Sequence, residues 1–176
     1  MFPNLDQAAL IEISIEDQLL RFSYQQNQQE FVIGTAVQGA GEQMGSGKTP
    51  RGWHRIVAAI GANEPINRVF VGRRPTHEIY SQDLAQQHPE RDWILTRILW
   101  LQGLEVGRNR MGKVDTMRRY IYIHGVPDHK VLGVPGSKGC INMHNNDLLT
   151  LFDLAPAGTL VWIQEASFSR ISCRSL

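Results

Sequence analysis

No stretch of this chain approaches the ~20 consecutive apolar residues that a membrane-spanning helix needs, so no membrane partner is expected. Cysteine is scarce. Two in 176 residues cannot staple a disulfide scaffold, and the closely paired Cys-x2-Cys ligands of structural zinc are missing. Charge of one sign is also lacking, since 18 basic and 17 acidic residues leave a net +1. Arg73-Arg74 and Arg118-Arg119 are the tight basic pairs, which falls short of the clustered positive charge that phosphate backbones demand and excludes a nucleic-acid partner. Repeats and low-complexity tracts are absent. The opening Met-Phe-Pro-Asn-Leu-Asp-Gln has neither a basic nor an apolar signal region, and Glu12, Glu16 and Asp17 follow almost at once. No signal peptide is expected, and the expected setting is cytoplasmic, or periplasmic if a leader has been removed.

What is present is one domain's worth of ordinary globular sequence, 42% hydrophobic and 20% charged. Ile11, Ile13 and Ile15 alternate with polar residues, and Leu20, Phe22 and Tyr24 repeat the pattern after Glu16-Asp17, which predicts a hairpin. A polar turn over 25–29 leads to a strand over 30–37, then a Gly-rich loop over 38–51. Strands are expected over 53–60 and 68–71, and a short helix or loop excursion over 76–88, ended by Pro89. The apolar stretch 94–101 reads as a strand because of Thr96, Ile98 and Trp100. A strand over 120–123 delivers His124, and Asn145 or Asn146 caps a helix through Asp153 with Leu148, Leu149 and Phe152 on its apolar side. Thr159 to Gln164 closes the series, and a loose polar tail follows. Many short strands and few helices predict a mainly β fold, a sandwich or half-barrel with one or two short helices. Residues 1–165 form the single domain and 166–176 the tail.

The chemistry concentrates between His124-Gly125 and Ser137-Lys138-Gly139-Cys140-Ile141-Asn142. A thiol attacks as thiolate, and a nearby imidazole can take its proton. Gly139 lets the main chain approach a substrate carbonyl, where backbone N–H groups hold a developing oxyanion. Tyr120-Ile121-Tyr122-Ile123-His124-Gly125 with Ser137-x-Gly139-Cys140-Ile141 resembles the signature of the L,D-transpeptidase (YkuD-type) catalytic domain. Thr49-Pro50-Arg51-Gly52 after the strand Phe31 to Val37 is similar to that family's Thr-Pro-x-Gly element. Asn146-Asp147-Leu148 and Leu151-Phe152-Asp153 resemble its helix after the nucleophile, and Gly158-Thr159-Leu160-Val161 its last strand. The likeness runs from about residue 9 to 165.

The resemblance implies acyl transfer on peptidoglycan stem peptides. Cys140 is then the nucleophile, His124 the base, and the N–H groups of Gly139, Cys140 and Lys138 the oxyanion donors. The fold it implies is a sandwich of two mixed sheets with the cysteine in a cleft over one of them, and D-alanine would leave a tetrapeptide stem. With no leader expected, water becomes the economical acceptor, which makes the chain an L,D-carboxypeptidase of murein recycling. The alternatives are a periplasmic transpeptidase forming 3→3 cross-links and a non-catalytic stem-peptide binder. Lys138 stands where the family usually has histidine, and it is expected to lend the same backbone N–H while its ammonium favours the thiolate. Asn142, two residues after Cys140, is expected to bind substrate or steady His124. Tyr122 is expected to reach the pocket, Gly125 and Ser137 to line it, and Arg119 to bind a peptide carboxylate.

Three patterns have duller readings. Gly45-Ser46-Gly47-Lys48-Thr49 mimics the end of a phosphate-binding loop, but the first glycine of that motif would fall at Glu42, and Pro50 spoils the helix start. A loop on the rim of the cleft is the better account. Cys140 with His129 and His144 invites a zinc-hydrolase reading, yet one cysteine with scattered histidines is no ligand set, so neither metal nor cofactor is expected. Cys173, in the tail, is a bystander.

Overall fold

The computed structural model describes residues 8–170. Its strands are β1 Leu10–Ser14, β2 Leu19–Tyr24, β3 Asn27–Gly34, β4 Gly52–Ile60, β5 Arg68–Val71, β6 Arg74–Ile79, β7 Leu95–Gly103, β8 Tyr122–Gly125, β9 Ile141–Met143 and β10 Leu160–Gln164. Two helices join them, α1 Gln82–Gln87 and α2 Asn145–Leu154. Alternation of apolar and polar residues built most of these strands where periodicity predicted them. The turn expected over 25–29 shrinks to Gln25-Gln26, because Tyr24 pairs with Asn27 and β3 begins at once. The excursion over 76–88 splits into the end of β6 and the short α1, a division that its mixed polar residues left unmarked.

The two-sheet sandwich is corrected to a closed barrel. One sheet runs β4-β10-β1-β2-β3-β9-β8-β7, and β4 then pairs with β7 to close eight strands on themselves. The closing seam matches His54 to Gly103 and Ile60 to Ile98, with an irregularity between Ile56 and Ala58. Periodicity shows which face of a strand is apolar but not whether two distant edges meet, and closure removes both exposed edges. β1–β10 and β8–β9 are parallel; every other barrel pair is antiparallel. Ile11, Ile13, Leu20, Ile33, Ile56, Leu99, Leu101, Ile123, Ile141, Met143, Val161 and Ile163 fill the interior, almost without exposure. Burying each such side chain stabilises by roughly 1.5–3 kcal/mol. From α2, Leu148 and Leu151 join this core, with Phe152 partly buried, so Leu151 takes the inward place expected for Leu149.

Outside the ring, the β5–β6 hairpin hangs from β7 through Val69 and Leu95. Its two-residue turn is Gly72-Arg73, both at positive φ (57° and 66°), the signature of a type I′ turn. Gln18 is a buried crosslink: its amide donates to Ile15 O and Thr35 Oγ1, and its Oε1 accepts from the Thr35 N–H. The first hairpin is thereby tied to the end of β3.

The segment after Glu165 is docked as far as Arg170, contrary to the loose tail expected. Glu16 and Asp17 accept the N–H groups of Ser167 (3.2 Å) and Phe168 (2.8 Å). The Arg21 guanidinium lies 4.2 Å over the Phe168 ring, which is 8% exposed. Cys173 lies outside the described residues. Phe168→Ala is expected to cost about 3 kcal/mol, read as a lower urea midpoint at constant slope. An unchanged midpoint would mean that this docking contributes nothing.

Candidate active site

His124 stands on β8 between β7 and β9, opposite Asn142 in the parallel register of β8 and β9. Paired residues at one level share a face, so their side chains meet: Asn142 Nδ2 lies 3.1 Å from His124 Nε2. The other ring nitrogen, Nδ1, lies 2.9 Å from the Gly125 carbonyl. A carbonyl only accepts, so Nδ1 carries the proton and Nε2 presents a lone pair, to which the Asn142 amide donates. Asn142 thus steadies the imidazole, one of the two roles expected for it, and its buried Oδ1 has no partner among the described residues. Burial holds the His124 pKa below its ordinary value, against the Gly125 carbonyl and Asp92, which favour the charged ring.

Gly125 cannot carry a side chain. A Cβ there would lie 2.3 Å from Asn145 Oδ1 and 2.7 Å from Leu95 O. The crowding reflects a knot of polar contacts behind the site. Thr96 donates to Asn145 Oδ1 at 2.6 Å, while Asn145 Nδ2 donates to Val126 O and to Asp128. Thr96 sits at φ +70°, a rare conformation for a β-branched residue, where β7 slips register between Leu95 and Ile98. Asn145, expected as a helix cap, is the first residue of α2, and His144 occupies the cap.

Cys140 closes a tight turn that enters β9. Gly139 has φ +128°, and a Cβ would sit 3.1 Å from Ile121 and 3.3 Å from Lys48 O. Thr49 Oγ1 donates to Gly139 O (3.0 Å) and accepts from the Ala36 N–H, so the Thr-Pro-x-Gly element does form the floor of the nucleophile turn. Ser137 Oγ donates to Cys140 O at 2.5 Å and accepts from the Gly139 N–H at 3.1 Å. Ser137 lines the cleft and also braces this turn, and one assignment is corrected: the Gly139 N–H is already engaged at rest and is not the free oxyanion donor expected. The Cys140 N–H meets no acceptor among the described residues.

The thiol itself is parked. Cys140 Sγ accepts from the Tyr122 N–H and donates to Tyr120 O, both at 3.4 Å, and no hydrogen bond joins it to His124. Burial pushes the thiol up to about 12, with the Tyr122 N–H pulling it back, and Arg119 and Lys130 supply the favourable charge. The imidazole expected to take the thiol proton therefore does not touch the sulfur at rest. The ammonium expected from Lys138 is likewise not what acts on the sulfur; Lys138 is exposed.

Both groups open onto one cleft of about 680 Å³, which Arg73, Asp92, Tyr122, Lys130 and Asn142 also line. Arg119 reaches its wall, but its guanidinium donates to Gly41 O, Glu42 O and Lys48 O, so it clamps the Gly-rich loop instead of awaiting a carboxylate. That loop also lines a groove beside the cleft through Met44, Gly45 and Gly47. Tyr122 reaches the pocket as expected, with its phenol 3.2 Å from Arg73. Arg73, Asp92, Lys130, Thr96 and Asn145 were missed, and only the odd placement of Arg73 in a Gly-Arg turn offered a signal. His129 is exposed beside Tyr80 in a separate groove, and among the described residues no three His, Cys, Asp or Glu side chains gather to hold a metal.

A thiol at about 12 is a neutral acid at physiological pH, and its thiolate fraction grows with every rise in pH. Alkylation of Cys140 by iodoacetamide is expected to climb about tenfold per unit between pH 7 and 9.5. A preformed thiolate–imidazolium pair would instead give a fast rate that is flat across that range.

Comparison with known proteins places the fold. An L,D-transpeptidase from Xylanimonas cellulosilytica is 16% identical, with TM-score 0.57, covering 92% of this chain and 63% of its own. A cysteine-to-serine mutant of the Enterococcus faecium L,D-transpeptidase is 14% identical, with TM-score 0.54 and coverage of 90% and 50%. L,D-transpeptidase 3 from Mycobacterium tuberculosis, in complex with a faropenem-derived adduct, is 14% identical, with TM-score 0.55 and coverage of 90% and 60%. This chain therefore spans about half to three fifths of the length of these solved proteins, and the likeness speaks to the fold. A search of curated proteins finds no match. The model of the L,D-transpeptidase catalytic domain, YkuD, matches residues 8–163, and the chain belongs to that family.

Proposed function

We propose that the chain is a cysteine acyl-transfer enzyme acting on peptidoglycan stem peptides. The observation that carries this is the shared cleft, which holds Cys140 and an imidazole whose tautomer is fixed, with its basic lone pair on Nε2 where the Asn142 amide meets it at rest. Membership in the family supplies the substrate class. Rotation of the Cys140 side chain away from Tyr120 O brings Sγ toward Nε2, the Asn142 amide gives up its bond to that nitrogen, and Nε2 receives the thiol proton as sulfur attacks. The carbonyl attacked is that at the L-centre of the third residue, a diamino acid. The Cys140 and Lys138 N–H groups, which meet no acceptor among the described residues, are the oxyanion donors that remain, and losing one such donor typically costs about 2.7–4 kcal/mol. The C–N bond then breaks, His124 returns the proton to the departing D-alanine amine, and a thioester remains on Cys140.

Water is the acceptor we favour, which makes the activity an L,D-carboxypeptidase of murein recycling in the cytoplasm. A free thiol nucleophile suits a reducing compartment. A periplasmic enzyme would pass the same thioester to the amine of a second stem and form 3→3 cross-links. One observation favours a different reading, a non-catalytic stem-peptide binder: the sulfur rests on backbone groups and not on the imidazole.

Incubation with a soluble tetrapeptide, followed by mass analysis, separates these readings. Tripeptide alone is expected, with dimers marking transpeptidation and no product marking the binder. Intact-mass measurement with faropenem is expected to give a covalent adduct that Cys140→Ser abolishes, and a wild type without adduct would defeat the acyl-enzyme. Lys138→His is expected to leave turnover within about tenfold, since its side chain is exposed and its backbone N–H is unchanged. A larger gain would show that the lysine impairs catalysis.

A further inference from the structure

Arg73 has no anion. It lines the same cleft as Cys140, yet among the described residues its guanidinium meets no carboxylate, and one of its five N–H donors reaches Tyr122 OH at 3.2 Å. The neighbouring guanidiniums are occupied. Arg119 is spent on the Gly-rich loop, and Arg91 pairs with Glu78 at 2.7 Å. Arg73 is also held in place. Its guanidinium carbon lies 4.6 Å from the Trp100 ring centre and 4.8 Å from that of Tyr120. The turn it occupies needs positive φ at both central positions, where Gly, Asn and Asp are favoured and an arginine is costly. A fork of donors fixed by two rings, at an unfavourable backbone position, over a cleft that holds the nucleophile, is built to receive an anion.

We propose that Arg73 is a specificity-determining residue that binds a carboxylate of the peptide in the cleft. The proposal rests on the stem-peptide reading of that cleft, and the stem offers two such groups. One is the terminal carboxylate of D-alanine; the other is the second carboxylate of the diamino acid. Either would accept a bidentate pair from the guanidinium, and Tyr122 would keep the fork level with the wall. A clasp role, in which the rings and Tyr122 simply pin the hairpin, is the competing account.

The test measures binding rather than turnover, so its failure is distinct from failure of the acyl-enzyme. Cys140→Ser protein is titrated calorimetrically with three peptides: the tetrapeptide, its C-terminal amide, and a version with lysine in place of the carboxylated diamino acid. One of the two altered peptides is expected to bind about tenfold to a hundredfold more weakly, identifying the carboxylate read. Adding Arg73→Gln is expected to erase that gap by weakening the parent peptide alone, and Arg73→Lys to restore part of it. Equal losses on all three peptides would show a clasp and overturn the proposal. So would no measurable binding of any peptide, or a gap that survives in Arg73→Gln. Should the arginine variants fail to fold, equal affinity for all three peptides with Arg73 present would overturn it alone.

Discussion

The parallel pairing of β8 with β9 is the constraint on which the site depends. It sets Ile123 against Ile141, His124 against Asn142 and Gly125 against Met143. Base and amide therefore arrive at one level on one face, and Cys140 falls at the turn just before β9. Parallel neighbours require a crossover, and the one here carries the Ser137–Gly139 turn back to the mouth of the cleft. Closure of the barrel through β4 and β7 keeps this pair from slipping. A shift of one residue would turn His124 into the core and Ile123 outward.

Around that pairing, backbone groups do much of the positioning. The Gly125 carbonyl selects the tautomer, Thr49 holds the Gly139 carbonyl, and Ser137 spans the turn. Even the cation nearest in effect to the sulfur, Arg119, spends its hydrogen bonds on main-chain oxygens. The unusual conformations of Thr96 and Arg73 lie behind and above the cleft, and each carries a side chain tied to another wall.

Much of this was legible in the sequence. Alternating isoleucines disclosed β1, and the ordered motifs around His124 and Cys140 singled out the residues that the fold brings to one cleft. Asn142 could be placed near His124 from chemistry. Other features left no local trace. Barrel closure depends on two strands far apart in the chain, and apolar alternation in Ile56 or Leu99 reads the same in a sandwich. Gly139 looked like an oxyanion donor because its neighbour Ser137 carries no mark of which N–H it will engage. Arg119 looked free because its acceptors are carbonyls, which every residue possesses. The thiol's resting partners are main-chain atoms of Tyr120 and Tyr122, equally invisible to side-chain reasoning.

The parked sulfur also bears on chemical durability. Peroxide reacts with thiolates far faster than with thiols, so a sulfur kept protonated between Tyr120 and Tyr122 is slow to become sulfenic acid. On the proposed function, the sulfur meets oxidants as thiolate chiefly while a bound peptide draws it toward the imidazole. The resting clamp thus shelters the residue on which the proposed chemistry turns.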